Sequence, residues 1–561
     1  MESLYFKGKS AVWNHHLSVP YHTLDKDNKK SLIGNDDSEN LIIEGDNLLA
    51  LKSLLPKYQG KVKCIYIDPP YNTGNESWTY NDNVNSPLIK DWIGSIVGKD
   101  DLTKHDKWLC MMTPRLKLLR ELLSDDGIIF ISIDENEVHH LKILMNEIFL
   151  DANFIAELPT VMNLKGNQDE FGFAGTHEYT LVYSKNKSEN LKLGEFEIDE
   201  EGLEEWIEDE IGFWKRGANL KGTGTNAPRE KRPNLFYPIF ISKTNEVSTK
   251  RHKSNDVELL PLTDGIEMSW RWSSLKVDRE PHNIIVVRDG NSISLYKKQR
   301  PDLGDLPSKK PKTLFYKPEY SSGNGTAQLK DIFGTKIFDH PKPVDLIRDL
   351  LKIGTDKNSI ILDSFAGSGT SAQAVMELNQ EDGGNRRFIL IQLPEKIKEK
   401  TNTGARNPAY EAGYRYVHEI TRDRVKIVIK KEEIETGFTY YTLGQSIDAD
   451  AILSGKLPTY EDFAKYVFYL ATGKNHPDDK KIKEKDYFVG KSGNESIYLL
   501  YKKDIEVLKN LSITLDWAEQ EHKKNSGRKI VYAPACFLDD EHLEKFNIQF
   551  VSIPYNLFEK K

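Results

Sequence analysis

Two short stretches hold residues whose types and order could do chemistry: Asp68-Pro69-Pro70-Tyr71, followed by Asn72-Thr73-Gly74, and Asp363-Ser364-Phe365-Ala366-Gly367-Ser368-Gly369-Thr370. In the first, a carboxylate, two rigid prolines and an aromatic ring sit directly behind an apolar run. Pro-Pro and Asn-Thr-Gly are ordinary turn chemistry, so the stretch taken alone reads as a surface turn. The same residues can also grip a flat heteroaromatic amine. Asp68 and the Pro69 carbonyl would accept its two N–H hydrogens, turning the nitrogen lone pair away from the ring, while Tyr71 stacks on the ring face. Pro69 and Pro70 would hold that arrangement with little entropy left to lose.

The second stretch lies between a β-rich run and a helical pattern. Its glycines let backbone approach a ligand, and amides at the following helix start can meet negative charge. A lone glycine-rich turn is weak evidence. A P-loop would need a Lys-Ser/Thr pair after the final glycine, and Thr370-Ser371 follows instead. A nicotinamide fingerprint would need Gly-x-Gly-x-x-Gly, and the spacing here is Gly-x-Gly.

The elements that must carry these residues read as a parallel sheet. "NLIIEGDNLLALKSLL" is a short strand, a turn at Glu44-Gly45-Asp46 and a helix with leucines at helical spacing. "VKCIYI" is a strand covered on both faces, and it ends at Asp68. "KWLCMMTPRLKLLRELL" is an amphipathic helix and "IIFISID" another buried strand, so strand, helix, strand repeats. The pattern breaks after about Asp151 and resumes with the helix "KPVDLIRDLLKIG", the strand and turn of the second stretch, and the strand "RRFILIQLPE". One interrupted sheet is therefore expected: an arm at 1–40, the first part of an α/β domain at 41–150, an insert at 151–336, the second part at 337–434 and a C-terminal α/β domain at 435–561.

At 561 residues, several domains with ample core are expected. No apolar run is long enough to span a bilayer and "MESLYFKGKSAVWNHH" lacks a signal-peptide pattern, so a cytoplasmic protein with no membrane partner is the expectation. Cys64, Cys110 and Cys536 are far apart in apolar contexts and read as core thiols. The adjacent pairs His15-His16 and His139-His140 point apart and have no partner at ligand spacing, so no metal is expected. Met111-Met112 reads as core. The net charge is −8, yet Ile211 to Lys330 carries 22 Lys+Arg against 12 Asp+Glu, a balance of +10 inside a chain that is −18 elsewhere. Such a segment is either a solvated insert or a surface that neutralises phosphates.

The pairing of the two stretches carries a resemblance. "DPPY" followed far downstream by "FAGSG" resembles the S-adenosylmethionine-dependent amino-methyltransferases of DNA, in the order of their beta class. "EGDNLLALKSLL", "IYIDPPYNTGNESWTYNDN", "DENEVHHL", "FDHPKPVDLIRDLL", "DSFAGSGTSAQAVMELN" and "GGNRRFILIQLPE" look like the modification (Mod) subunit of Type III restriction-modification systems over roughly residues 40 to 430. The resemblance implies a Rossmann-like α/β methyltransferase domain with an inserted target recognition domain. It implies that Asp68, Pro69, Pro70 and Tyr71 hold an extruded base, with Asp at the first position favouring adenine over cytosine. Phe365, Ala366, Gly367, Gly369 and Thr370 would wrap the methionine end of S-adenosyl-L-methionine, Asp363 would lie near its amino group and Asp46 near its adenine. Lys342 and Pro343 would close the same pocket. Many relatives bind the ribose through a glutamate where this chain has Gln392, with Glu395 three residues on, so the resemblance implies a ribose contact from Gln392 or Glu395.

The resemblance further implies double-stranded DNA as substrate, a homodimer and a separate Res-type helicase-nuclease subunit, since nothing in this chain resembles a P-loop motor. "WKRGANLKGTGTNAPREKRP" and "RWSSLKVDRE" lie where the family keeps its target recognition domain and are expected to touch DNA. The C-terminal domain is the candidate for dimer or partner contacts. Two alternatives stay open: a solitary DNA adenine methyltransferase, and a DNA-binding specificity subunit that has lost catalysis. Intact Asp68, Tyr71 and glycine turn speak against the latter.

Overall fold

The computed structural model describes residues 3–34, 39–73, 103–163, 165–166, 172–188, 191–197, 206–290, 292–300, 308–401, 404–448, 451–452, 454, 457–477 and 481–553. Gly74 and the rest of the "NESWTYNDN" segment lie outside them.

Apolar β-rich runs build one nine-stranded sheet. In chain order its strands are β1 (Tyr21–Lys26), β2 (Leu41–Glu44), β3 (Val62–Ile67), β4 (Leu123–Ile133), β5 (Phe154–Val161), β6 (His177–Ser184), β7 (Ile360–Asp363), β8 (Arg387–Gln392) and β9 (Thr439–Ile447). Their spatial order is β1-β9-β2-β8-β7-β3-β4-β6-β5. From β9 through β4 neighbours run parallel, and β6 and β1 join antiparallel. The chain order reverses between β7 and β3, so the crevice at their carboxyl ends is a topological switch point of a doubly wound Rossmann-like sheet.

Helices cover the sheet on both faces: α1 (Asn47–Tyr58), α2 (Lys104–Leu122), α3 (Val138–Phe149), α4 (Val344–Gly354), α5 (Thr370–Asp382) and α6 (Val417–Lys431). Leu51, Leu54, Leu55, Trp108, Leu116 and Leu119 pack with Ile65, Ile67, Ile129 and Ile131 in one core, all with at most 1% of their surface exposed. Cys64 and Cys110 are buried thiols, and Met111 and Met112 lie in that core. α2 starts on a capping box of Thr103 with Asp106, and α1 starts on Asp46, whose carboxylate accepts from the Leu48 and Leu49 amides. No described helix is long and apolar enough to cross a membrane.

The insert is narrower than 151–336. The separate compact unit runs from Glu195 to Pro311, whereas the β5–β6 hairpin extends the main sheet. Antiparallel strands need no crossover helix, so the strand-helix-strand signature stopped while the sheet did not. Likewise β9, placed by sequence in the C-terminal domain, pairs with β2. Beyond it, strands Phe488–Ser492, Glu495–Leu499, Arg528–Ala533 and Ile548–Ser552 form a second small sheet against helix Tyr460–Thr472. The 195–311 unit has a core of its own, built on Leu220, Ile239, Ile241, Trp270, Val277 and Leu295, beside a four-stranded antiparallel sheet. Of its expected DNA-contact aromatics, Trp272 packs against that core.

Candidate active site

β3 delivers Asp68 to the switch point and β7 delivers Asp363 beside it, because Cys64 and Ile65 pair in register with Ile361 and Leu362. The turn after β3 is pinned from behind. The buried Trp108 indole donates to the Pro70 carbonyl at 2.7 Å, and Asn72, in a left-handed conformation at φ 58°, donates to the Lys104 carbonyl and to the fully buried Glu137. Glu137 also meets His105 at 2.7 Å and His140 at 3.1 Å, so the "DENEVHH" segment braces the turn after β3. His140 thus has a carboxylate neighbour that spacing in the sequence did not reveal.

Tyr71 does not stand alone. Its hydroxyl donates to Glu178 Oε2 at 3.0 Å and accepts from Lys342 Nζ at 2.5 Å, with the ammonium 4.8 Å from the ring centre. Lys342 Nζ also lies 2.9 Å from Glu178 Oε1 and 3.2 Å from Asp68 Oδ1. The Asp68 contact is an ion pair without hydrogen-bond geometry, and that buried oxygen has no hydrogen-bond donor among the described residues. Burial, reinforced by the Asp68 and Glu178 charges, holds the Tyr71 phenol well above its ordinary value. Burial works against the Lys342 charge, but the two carboxylates outweigh it and keep the ammonium protonated. Burial pushes Glu178 up despite Lys342. The sequence placed Lys342 in the donor pocket; the structure brings its side chain to Asp68 and Tyr71.

The glycine turn after β7 is built for close approach. Gly367 (φ 52°) and Gly369 (φ 84°) adopt left-handed backbone, and a Cβ on Gly369 would sit 3.2 Å from the Thr421 carbonyl. The Gly367 amide donates to Gln392 Oε1 at 2.7 Å, while the Gln392 amide nitrogen donates to the Leu393 carbonyl at 3.2 Å. Gln392 is therefore a buried brace of the turn, and Glu395 is the half-exposed one of the pair. Gly369 opens α5 with no side-chain cap. Phe365 and Ala366 are buried, and Ser364 Oγ is buried with no partner among the described residues.

Asp363 receives the Phe365 amide at 2.9 Å and the Ser371 hydroxyl, yet burial, aided by the Asp68 charge, pushes its carboxyl up to about 7. Asp46 caps α1 and lies 3.5 Å from Arg115, whose Nε holds Asn47; Asn47 in turn donates to the Ser364 carbonyl at 2.9 Å. Lys342 and Pro343 precede α4, and the Thr370 hydroxyl donates to the Lys342 carbonyl at 3.2 Å. Buried Arg424, from α6, donates to both Ser368 and Thr370. Every sequence-predicted residue thus lies at the carboxyl ends of β2, β3, β7 and β8. A cavity of about 460 Å³ beside Asn40, Arg386 and Arg387 opens at the opposite end of the strands and holds none of them.

Glu178, Glu137, Trp108 and Arg424 escaped the sequence reading. Glu178 heads an apolar run, "EYTLVYS", as many solvated strand-end carboxylates do, and its partners are 107 and 164 residues away.

Over residues 62–403 the chain matches the family model described as DNA methylase. The Type III restriction-modification enzyme EcoPI Mod subunit of Escherichia phage P1 is 47% identical over 71% of this chain and 63% of its own. The StyLTI Mod subunit of Salmonella typhimurium is 33% identical over 74% of this chain and 60% of its own. The chain thus spans less than two thirds of the length of either Mod subunit. Type II methyltransferase M.KpnI of Klebsiella pneumoniae is 32% identical over 72% of this chain and 92% of its own. With more than half of its length matched to the family and M.KpnI matched almost from end to end, the chain belongs to the DNA methylase family.

Proposed function

We propose that the chain is a site-specific DNA methyltransferase acting on the N6 amine of adenine, and the modification and specificity subunit of a Type III restriction-modification system. The observation that carries the reading is the convergence of Asp68, Pro69 and Tyr71 with the glycine turn at the crevice between β3 and β7. The donor pocket fits S-adenosyl-L-methionine. The uncapped start of α5 suits its carboxylate, Asp363 its amino group, and the side-chain-free Gly367 and Gly369 its close passage. Asp46 and Glu395 are the residues for its adenosine end.

When bound, that cofactor supplies a methyl group on a sulfonium already activated for transfer. The chain's own residues align the acceptor. Tyr71 stacks on an adenine drawn out of the duplex, while Asp68 and the Pro69 carbonyl take its two amine hydrogens and free the lone pair for in-line attack. The donor would leave as a neutral thioether, and Asp68 would pass the surplus proton of the methylated nitrogen to water. No strong base is needed.

Double-stranded DNA is the proposed substrate, read by the 195–311 unit. A homodimer and a separate Res-type helicase-nuclease complete the proposal, with the C-terminal sheet offered for those contacts. The similarity to M.KpnI, named a Type II methyltransferase, favours a second reading in which the chain methylates without such a partner. Copurification of a helicase-nuclease from the native host separates the two. Incubation of duplex DNA with labelled donor tests the chemistry: label on adenine is expected, and none on DNA would overturn it.

A further inference from the structure

Lys342 belongs to both halves of the site. Its main-chain carbonyl accepts from Thr370, the first residue of α5, and Arg424 donates to the same Thr370 hydroxyl at 2.7 Å. Pro343 follows it and fixes the entry to α4. Its backbone is thus part of the wall behind the glycine turn. Its ammonium, with the side chain only 11% exposed, lies on the catalytic turn among Asp68, Tyr71 and Glu178.

That position conflicts with the role of Asp68. The ammonium faces Asp68 Oδ1, one of the two oxygens open to a target amine, and its bond to the Tyr71 hydroxyl places it at the ring on which the base would stack. An amine that uses Oδ1 has to displace the ammonium, and one that uses the other Asp68 oxygen has to approach beside it. Glu178 offers the ammonium somewhere to go: both of its oxygens already lie within 3.1 Å of Lys342 Nζ, and it comes from β6 rather than from the catalytic turn.

We propose that Lys342 is a charge-operated stop in the base pocket, seated on Asp68 when no positive charge lies beside it and drawn back onto Glu178 when one does. The inference rests on the donor and base reading above. Methyl transfer requires the donor's positive centre next to the amine that Asp68 holds, hence next to Asp68 itself. Two cations sharing one partly buried carboxylate repel, and at the effective dielectric of such sites the repulsion at several ångströms is worth roughly tenfold in affinity or more. Lys342 therefore frees Asp68 when the cationic donor is in place and returns against the neutral thioether product, competing with a methylated amine that has one hydrogen fewer to give. It is a positioning residue: it readies Asp68 without itself touching the transferred group.

The test uses the full chain with two stable donor analogues, S-adenosylhomocysteine, neutral at sulfur, and sinefungin, which carries an ammonium there. In crystal structures, Lys342 Nζ is expected to stay on Asp68 with the neutral analogue, and to move beyond ion-pair distance, about 4 Å, with the cationic one while keeping Glu178. Calorimetry should show Lys342→Met binding the cationic analogue about tenfold better, relative to the neutral one, than the wild type does, with Lys342→Arg close to wild type. Glu178→Gln, which removes the retreat, should shift the ratio a few-fold the other way. The same lysine position in both complexes, or an unchanged affinity ratio in folded Lys342→Met and Glu178→Gln, overturns the stop. Failure of both analogues to bind the wild type overturns the donor reading instead.

Discussion

At Tyr71 the ring and the hydroxyl have separable duties. The ring is the proposed stacking face for the base, whereas the hydroxyl is tied to Glu178 and Lys342. Tyr71→Phe keeps the stacking face and should leave kcat/KM for DNA methylation within about tenfold of wild type. Tyr71→Ala loses a stack worth roughly 1–3 kcal/mol and should lower it by about 10- to 100-fold. Equal losses would mean that the hydroxyl carries the role. Asp363 makes a pH prediction. Its carboxyl is raised to about 7, above the value in an unfolded chain, so its contribution to stability is complete below about pH 4 and is lost as pH rises through 7. A bound ammonium favours the ionised form, so donor affinity should climb between pH 6 and 7.5 and then level off. Calorimetry across that range should give a flat profile for Asp363→Asn. Asp68 and Tyr71 were legible because their chemistry is packed into four consecutive residues. Glu178 was not, because only the antiparallel seating of β6 beside β4 brings it to Tyr71.

The turns depend on what holds them from behind. Trp108 on α2 donates to the Pro70 carbonyl, so Trp108→Phe leaves a buried acceptor unpaired at a cost of about 1–3 kcal/mol. A thermal melt should fall by several degrees, and kcat should drop more than donor affinity, since the donor cradle is on another strand. Gly369→Ala asks a left-handed residue to carry a Cβ 3.2 Å from the Thr421 carbonyl, a strain of roughly 1–2 kcal/mol. Donor binding should weaken about tenfold while DNA retention survives; unchanged donor affinity would place the donor elsewhere. The parallel strands were readable as buried β-rich runs, and so were the helices between them. The β5–β6 hairpin was assigned to the insert because antiparallel strands extend a sheet without a crossover helix, and β9 to the C-terminal domain because its partner β2 lies far back in the sequence.

Across the whole molecule, the chain divides into 1–194 with 312–561 and 195–311, for which methyl transfer and target reading are the proposed jobs. The second unit has its own core and falls in the basic part of the chain, although several of its cations are engaged locally: Arg300 and Lys298 with Asp209, Arg229 with Glu267, Arg251 with Glu258. Replacing 195–311 by a flexible linker should leave donor binding within about threefold and abolish salt-dependent retention of duplex DNA, measured by fluorescence anisotropy between 50 and 200 mM salt. Persistent site-specific binding would move target reading to the main unit. The insert's basic balance was visible in composition, but its boundaries were not, because the polar loops at both edges look alike whichever unit they join. Asp68 is proposed to present an adenine amine to a methyl donor held at the glycine turn. The most direct test is to incubate duplex DNA with S-adenosyl-L-methionine and wild-type or Asp68→Ala protein, digest to nucleosides and measure methylated bases by mass spectrometry. N6-methyladenine is expected from the wild type and none from Asp68→Ala, whose donor affinity stays within a few-fold; N4-methylcytosine, or N6-methyladenine formed equally by both proteins, would contradict that role of Asp68.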